Sequence, residues 1–113
     1  MRVSTRITFW DENDVKFFGE GPCRLLHRIE EEGSLRAAAN AMGMAYTKAL
    51  RIIKNAEQAL GFPLTVRSTG GKHGGGSVLT PEGKEWLKRY EDYRDACVQA
   101  NRRIYLEHFP EER

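Results

Sequence analysis

Residues 33–60, GSLRAAANAMGMAYTKALRIIKNAEQAL, decide the fold predicted for this chain. Ser34 can cap a short helix that runs through Ala41, and Gly43 then interrupts the chain. A longer helix is predicted over about residues 45–60, after which another glycine ends it. Two helices joined by a short turn that contains glycine are typical of a helix-turn-helix.

The longer helix has two chemically different faces. At 100° per residue, one face collects the apolar residues Ala45, Ala49, Ile52, Ile53, Ala56 and Leu60. The opposite face collects the polar and basic residues Thr47, Lys48, Arg51, Lys54, Asn55 and Gln58. A helix that reads the DNA major groove needs one apolar face as an anchor and one face rich in hydrogen-bond donors. Many solvated helices are also charged, but the single acid of this helix, Glu57, lies on the flank, and this favours a nucleic-acid partner.

The flanking segments complete a winged helix-turn-helix, a mainly α fold with a small β component. On the N-terminal side the patterns predict strands at Val3–Trp10 and Val15–Phe18, then a helix that starts at Gly21-Pro22 and ends at Gly33. On the C-terminal side they predict short strands at Leu64–Arg67 and Val78–Leu79, then a helix capped by Thr80 that continues to about His108. We expect residues 1–80 to form a DNA-binding domain and residues 81–113 to form a C-terminal dimerisation helix.

The net charge of +2 over 113 residues argues only weakly for a polyanionic partner. Its distribution is more informative. Residues 34–84 contain seven bases and two acids, whereas residues 11–33 contain three bases and seven acids, and residues 85–113 contain six bases and seven acids. The basic residues are thus concentrated in the segment that holds the helix-turn-helix and the predicted wing.

Several short motifs resemble the N-terminal DNA-binding domain of ModE-type molybdate-responsive regulators and, more distantly, the winged helix of LysR-type regulators. They are Gly33-Ser34, Ala37-Ala38-Ala39, Met42-Gly43-Met44, Tyr46, Gly61, Pro63-Leu64, Arg67, Thr69-Gly70-Gly71-Lys72, Gly74-Gly75-Gly76, Val78-Leu79-Thr80 and Gly83. The resemblance covers about residues 18–90, and Ala45 and Leu50 depart from the serine and tryptophan expected there. It implies a dimeric transcription factor module whose family relatives bind molybdate in separate C-terminal domains. The sequence stops before such domains, so we expect no molybdate-binding domain of its own.

We therefore predict a homodimer that binds double-stranded DNA at a pseudo-palindromic site. The predicted groove contacts are Thr47, Lys48, Arg51 and Lys54, with Arg51 as the main base reader because its planar fork matches guanine. The predicted contacts to the DNA backbone are Ser34, Arg36, Tyr46, Arg67, Thr69, Lys72, His73 and Ser77. Lys72 and His73 lie in the glycine-rich segment, which is interpreted as a wing and alternatively as a flexible hairpin tip.

The last helix carries apolar residues at spacings of four and three, which is a heptad seam. Its members are Trp86, Tyr90, Tyr93, Cys97, Ala100 and Ile104. Packing within one chain would absorb part of this seam, but the predicted helix is longer than the body it could cover. We therefore predict that the seam forms the dimer interface.

Other classes of function have weaker support in the sequence. A nucleophile, a base and an orienting group do not form a recognisable set, so we predict no enzyme activity. Cys23 and His27 are four residues apart on one helix, but two ligands do not make a site, and we assign no metal and no cofactor. A winged-helix adaptor that works with a separate sensor protein remains the main alternative, and a small metal or oxyanion sensor is the weaker one. The chain has no apolar run long enough for a membrane span, so we expect a cytoplasmic protein with two reduced cysteines.

Overall fold

The computed structural model describes residues 1–69 and 75–113 and confirms a winged helix-turn-helix. The first part of the chain contains, in order, β1 (Phe9–Trp10), β2 (Lys16–Phe18), α1 (Glu20–Glu32), α2 (Leu35–Ala41) and α3 (Tyr46–Leu60). The second part contains β3 (Thr65–Ser68), β4 (Gly76–Leu79), the long α4 (Pro81–His108) and a final 3₁₀ turn (Pro110–Glu112). β1 pairs with β2 and β3 pairs with β4, and both pairs are antiparallel.

The ends of the predicted helices are largely confirmed. The Oγ of Ser34 accepts a hydrogen bond of 3.0 Å from the backbone N–H of Ala37, so it caps α2 as expected. Gly33 and Gly61 end α1 and α3 in the left-handed conformation, with φ of 80° and 83°. The predicted start of α1 at Gly21-Pro22 was wrong by one or two residues, because the helix begins at Glu20 and Gly19 is its N-cap. Pro22 therefore lies inside the first turn, where a backbone N–H has no partner within the helix and its absence costs nothing.

The wing strands differ from the prediction by one or two residues. β3 starts at Thr65, because the preceding Leu64 is fully buried in the core. The Leu64 N–H donates to Glu57 Oε2 at 2.8 Å, and its carbonyl accepts from the N–H of Thr80, the residue that follows β4, at 2.9 Å. β4 in turn extends back to Gly76, opposite Ser68.

The predicted strand Val3–Trp10 was wrong in extent, because only its last two residues pair with β2. The preceding residues lie in an extended segment along α4. Tyr90 donates its hydroxyl to the Ile7 carbonyl at 2.9 Å, and Asn101 Nδ2 donates to Thr5 Oγ1 at 2.6 Å. Thr5, Ile7 and Phe9 are half-buried and alternate with exposed residues, as in a half-buried strand, but the neighbour of most of this segment is a helix and not a second strand.

One apolar core joins the helices, the two strand pairs and the first turns of α4. Its most deeply buried large side chains are Phe18, Leu25, Leu26, Ile29, Leu64 and Tyr90. The Tyr90 ring lies 4.9 Å from the Phe18 ring in an edge-on arrangement, and burial raises the pKa of the Tyr90 hydroxyl to about 12. This hydroxyl therefore remains a hydrogen-bond donor to the N-terminal segment at neutral pH.

Thr80 ties the wing to the long helix. Its Oγ1 donates to the Pro63 carbonyl at 2.6 Å and accepts from the Gly83 N–H at 2.8 Å, which caps α4. Within the ranges that the structure describes, none of the helices, α4 included, combines the length and the apolar composition that a membrane span requires.

Candidate nucleic-acid interface

α3 is held to the body of the protein by its apolar face. Ala49, Ile53 and Ala56 are buried and belong to the core, together with Ala38 and Ala39 of α2. Small residues on both helices allow their backbones to come close, which positions the helix-turn-helix as a rigid unit. Of the predicted apolar face, Ile52 and Leu60 are half-buried, but Ala45 is exposed, because it precedes α3 as the N-cap residue and lies beyond the body.

The predicted groove contacts lie together on the exposed side of α3. Thr47, Lys48, Arg51 and Lys54 are all exposed. None of the exposed residues within this fully described helix is acidic. The result is a projecting surface of hydrogen-bond donors and positive charge, which suits the acceptor-rich edge of guanine and the phosphate backbone.

The one acid of α3, Glu57, is turned away from this surface. Its side chain is 17 % exposed, and its Oε2 accepts the hydrogen bond from Leu64 N–H. Its Oε1 lies 3.9 Å from the Lys54 ammonium, a weak pair because Lys54 is 69 % exposed. Glu57 thus anchors the chain that follows α3. Its carboxylate partly neutralises Lys54.

The N-terminal end of the helix-turn-helix carries a cation stacked on an aromatic ring. The guanidinium carbon of Arg36 lies 4.3 Å from the centre of the Tyr46 ring, which is half-buried in the first turn of α3. This contact holds Arg36 beside the start of α3. Ser34 is close in sequence, but its oxygen is engaged in capping α2, so only its hydroxyl hydrogen is free to donate elsewhere.

The wing places three of its predicted contacts on the described strands or next to them. Arg67 and Thr69 are exposed, and Ser77 is half-buried opposite Arg67 in the antiparallel register. The backbone N–H of Ser77 donates to the Gly33 carbonyl at 2.8 Å, which fixes the wing against the end of α1. The predicted contacts Lys72 and His73 lie outside the described residues.

A second group of basic residues, not predicted from the sequence, lies next to α3. One cleft with a volume of about 440 Å³ is lined by three cations, Arg6 from the N-terminal segment, Lys16 from β2 and Lys48 from α3, and by one acid, Glu20. The strand pair β1–β2 brings these cations together although they are far apart in sequence. No local signal in the sequence identifies them, because the N-terminal charges alternate with apolar residues as in any half-exposed strand.

The heptad seam of α4 is divided between two environments. Trp86 and Tyr90 pack against Phe9 and Phe18 of the same chain, so intrachain contacts already cover these two members of the predicted dimer interface. These two side chains are covered because the β1–β2 pair packs over the first turns of α4. Farther along the seam, Cys97 and Ala100 are half-buried, and Tyr93 and Ile104 are 52 % and 51 % exposed.

Comparison with known proteins identifies the region that contains this surface. Residues 23–84 match the family model of the bacterial regulatory helix-turn-helix proteins of the lysR family. The molybdenum transport protein ModE of Azotobacter vinelandii is 34 % identical over 85 residues, covering 72 % of this chain and 32 % of the relative. The DNA-binding transcriptional dual regulator ModE of Escherichia coli K12 is 37 % identical over 67 residues, covering 59 % of this chain and 26 % of the relative. These relatives confirm the resemblance to ModE-type proteins, and the chain spans about a third or less of their length.

Solved structures show the same fold. A complex of the BenM DNA-binding domain with benA site 1 DNA matches with a TM-score of 0.51 and 26 % identity, over 75 % of this chain and 93 % of that chain. ArgP from Mycobacterium tuberculosis matches with a TM-score of 0.53 and 22 % identity, over 78 % of this chain and 30 % of that chain.

Proposed function

We propose, on the premise that this chain belongs to the lysR family of bacterial regulatory helix-turn-helix proteins, that it binds double-stranded DNA and regulates transcription. The observation that carries the proposal is the exposed surface of α3, which combines Lys48, Arg51 and Lys54 without an exposed acid. The solved complex of a structurally similar domain with DNA supports the same use of the fold. The proposal implies action in the cytoplasm, where bacterial DNA is located.

Within this surface we assign different roles to different cations. Arg51 is exposed, forms no ion pair in the described part of the chain and carries a planar fork, so it is the proposed base reader. Lys48 lines the same cleft as Arg6 and Lys16, and this group would follow the phosphate backbone. The further proposed phosphate contacts are Arg36, Tyr46, Arg67 and Thr69. Lys72 and His73, predicted from the sequence, are proposed as phosphate contacts too.

The assignment of Arg51 can be tested with the upstream DNA of its own coding region. Footprinting at several salt concentrations locates the site, and titrations then compare that duplex with a random duplex of equal length. We expect Arg51→Ala to weaken specific binding by about 1–3 kcal/mol and to leave random binding almost unchanged. Arg103→Ala is the matched control, because Arg103 is an exposed cation about 33 Å along α4 from Pro81 and its loss changes the net charge equally.

Two results would contradict the proposal at different levels. Equal losses on specific and random DNA for Arg51→Ala would remove its role as base reader but keep DNA binding. Weak binding without sequence preference that disappears at physiological salt would instead favour the protein adaptor that works with a separate sensor.

We further propose that the protein acts as a homodimer through the outer part of the α4 seam. Tyr93, Cys97, Ala100 and Ile104 lie on one face of α4. Tyr93 borders Phe9 of β1, with the ring centres 6.0 Å apart, and the other three residues follow it toward the C-terminal end of the helix. The N-terminal segment contacts the neighbouring face through Asn101 and Tyr105, so this stripe remains open. The α3 helices of the two protomers, related by a twofold axis, would then enter major grooves about 34 Å apart. On this proposal residues 1–80 read DNA and residues 81–113 dimerise.

Sedimentation velocity of charged variants tests the dimer. We expect Tyr93→Glu and Ile104→Glu to sediment as monomers, because a carboxylate would be buried against its own symmetry copy. Val98→Glu is the matched control, since Val98 is also apolar and 39 % exposed but lies on another face of α4. Unchanged sedimentation of both seam variants, or an equal effect of the control, would exclude this interface.

A further inference from the structure

Three side chains that can bind a metal meet where α1 packs against α4. Cys23 and His27 are one turn apart on α1, and Glu91 comes from α4. One ligand atom from each lies within 4.8 Å of the other two, and the His27 Nε2 is 3.0 Å from the Glu91 Oε2. Cys23 is buried, whereas His27 and Glu91 are half-buried at the rim, so the cluster has a closed side and an open side.

We propose that Cys23, His27 and Glu91 form a binding site for one Zn²⁺ ion, with the fourth position open to water. Thiolate, imidazole and carboxylate are all zinc ligands, and sites with three protein ligands and one open position are well known for this ion. Ligand distances of about 2.0–2.3 Å place tetrahedral ligand atoms roughly 3.5 Å apart. The longest separation in the cluster, at most 4.8 Å, must therefore shorten, and the 3.0 Å between His27 Nε2 and Glu91 Oε2 must lengthen slightly. The spacing of Cys23 and His27 indicated two of these ligands, but only the packing of α4 supplies the third.

The charges around the cluster are compatible with a divalent cation. A deprotonated thiol and the carboxylate of Glu91 together balance the ion, while His27 binds in its neutral form and the thiol proton leaves to solvent. Arg94 is the nearest cation, with its Nη1 at 3.9 Å from the Cys23 Sγ. Its Nη2 also lies 3.8 Å from the Glu91 Oε2, but the guanidinium is held more closely by Glu20 at 3.2 Å and by Asp95 at 3.0 Å, so it keeps carboxylate partners when Glu91 binds the ion.

A bound ion would join α1 to α4 and stabilise the folded state independently of DNA binding. At a free Zn²⁺ concentration about a hundredfold above the dissociation constant, we expect the Tm to rise by about 10 °C. The proposal does not depend on the function of α3, so it stands or falls on metal binding alone.

The test uses the full chain after treatment with a chelator and dialysis. Titration with Zn²⁺ against a chromophoric chelator gives the stoichiometry, and Co²⁺ replaces Zn²⁺ as a spectroscopic probe. We expect one ion per chain and a near-ultraviolet absorption band from sulfur-to-cobalt charge transfer. Cys23→Ser should abolish the band, and Cys97→Ser should retain it as the matched control for loss of a thiol.

Glu91→Gln gives a second variant that does not alter the buried thiol. It keeps the size of the side chain and a hydrogen-bonding oxygen but removes the charge, and we expect at least a tenfold weaker affinity with the far-ultraviolet circular dichroism unchanged. The proposal is overturned if the chain binds no stoichiometric Zn²⁺, if the cobalt band survives Cys23→Ser, or if Glu91→Gln binds as tightly as the parent chain.

Discussion

Replacement of Gly83 by alanine tests the packing of α4 on the wing. A Cβ added at Gly83 would lie 2.4 Å from the Leu64 carbonyl oxygen and 3.1 Å from two further backbone atoms of Leu64. Leu64 has little freedom to move, because its side chain is fully buried and its N–H and carbonyl bind Glu57 and Thr80. The extra methyl group must therefore displace α4 or break these contacts.

The expected loss of stability can be worked out from these contacts. Alanine in place of glycine stabilises an unobstructed helix by about 0.5–1 kcal/mol. Overpacking against fixed atoms costs about 1–3 kcal/mol, and loss of the hydrogen bond between Thr80 N–H and the Leu64 carbonyl costs about 1 kcal/mol. We therefore expect Gly83→Ala to lower the free energy of unfolding by about 2 kcal/mol, which lowers the Tm by about 8 °C.

Thermal and urea unfolding followed by far-ultraviolet circular dichroism measure this difference. Gly21→Ala is the matched control, because Gly21 also lies in a helix but a Cβ there meets no atom within 4 Å. We expect the control to keep or slightly raise the free energy of unfolding. A Gly83→Ala variant as stable as the parent chain would refute the packing of α4 described above.

Three further substitutions test single side-chain contacts. Ser34→Ala should lower the free energy of unfolding by about 1 kcal/mol, because Ala37 N–H loses its cap, and this is measured by urea unfolding. Ser34→Asp should keep the cap but weaken DNA binding by placing a negative charge beside a phosphate; unchanged affinity would remove Ser34 from the interface. Tyr90→Phe should cost about 1 kcal/mol through loss of the hydrogen bond to the Ile7 carbonyl and should speed hydrogen exchange in the N-terminal segment. Unchanged exchange there would show that this bond does not hold the segment.

The helices of this protein could be predicted closely because their signals are local. A cap at Ser34, the glycines after α1 and α3, and the Thr80-Pro81 start of α4 each act within one helical turn. The N-terminal strand could not be predicted in the same way, since a period of two shows which side chains are covered but does not identify the covering element. Here that element is α4.

The candidate sites likewise include one part that the sequence predicted and one part that depends on tertiary contacts. The sequence was sufficient to predict the donor-rich face of α3, because all its residues belong to one helix with a regular period. Only tertiary packing places Arg6 and Lys16 in one cleft with Lys48, and only tertiary packing places Glu91 beside Cys23. Both groupings depend on contacts between segments far apart in the chain.

The amino-acid sequence by itself determined the order of the elements and the donor-rich side of α3, because capping, periodicity and glycine placement act over a few neighbouring residues. Only the tertiary structure decided how the seam of α4 is divided. Trp86 and Tyr90 are covered by β1 and β2, whereas Tyr93 lies at the edge of this cover, where it is 52 % exposed, and Ile104 lies past it. A heptad pattern indicates that a stripe will be buried, but the shape of the surrounding body decides which part is covered within one chain.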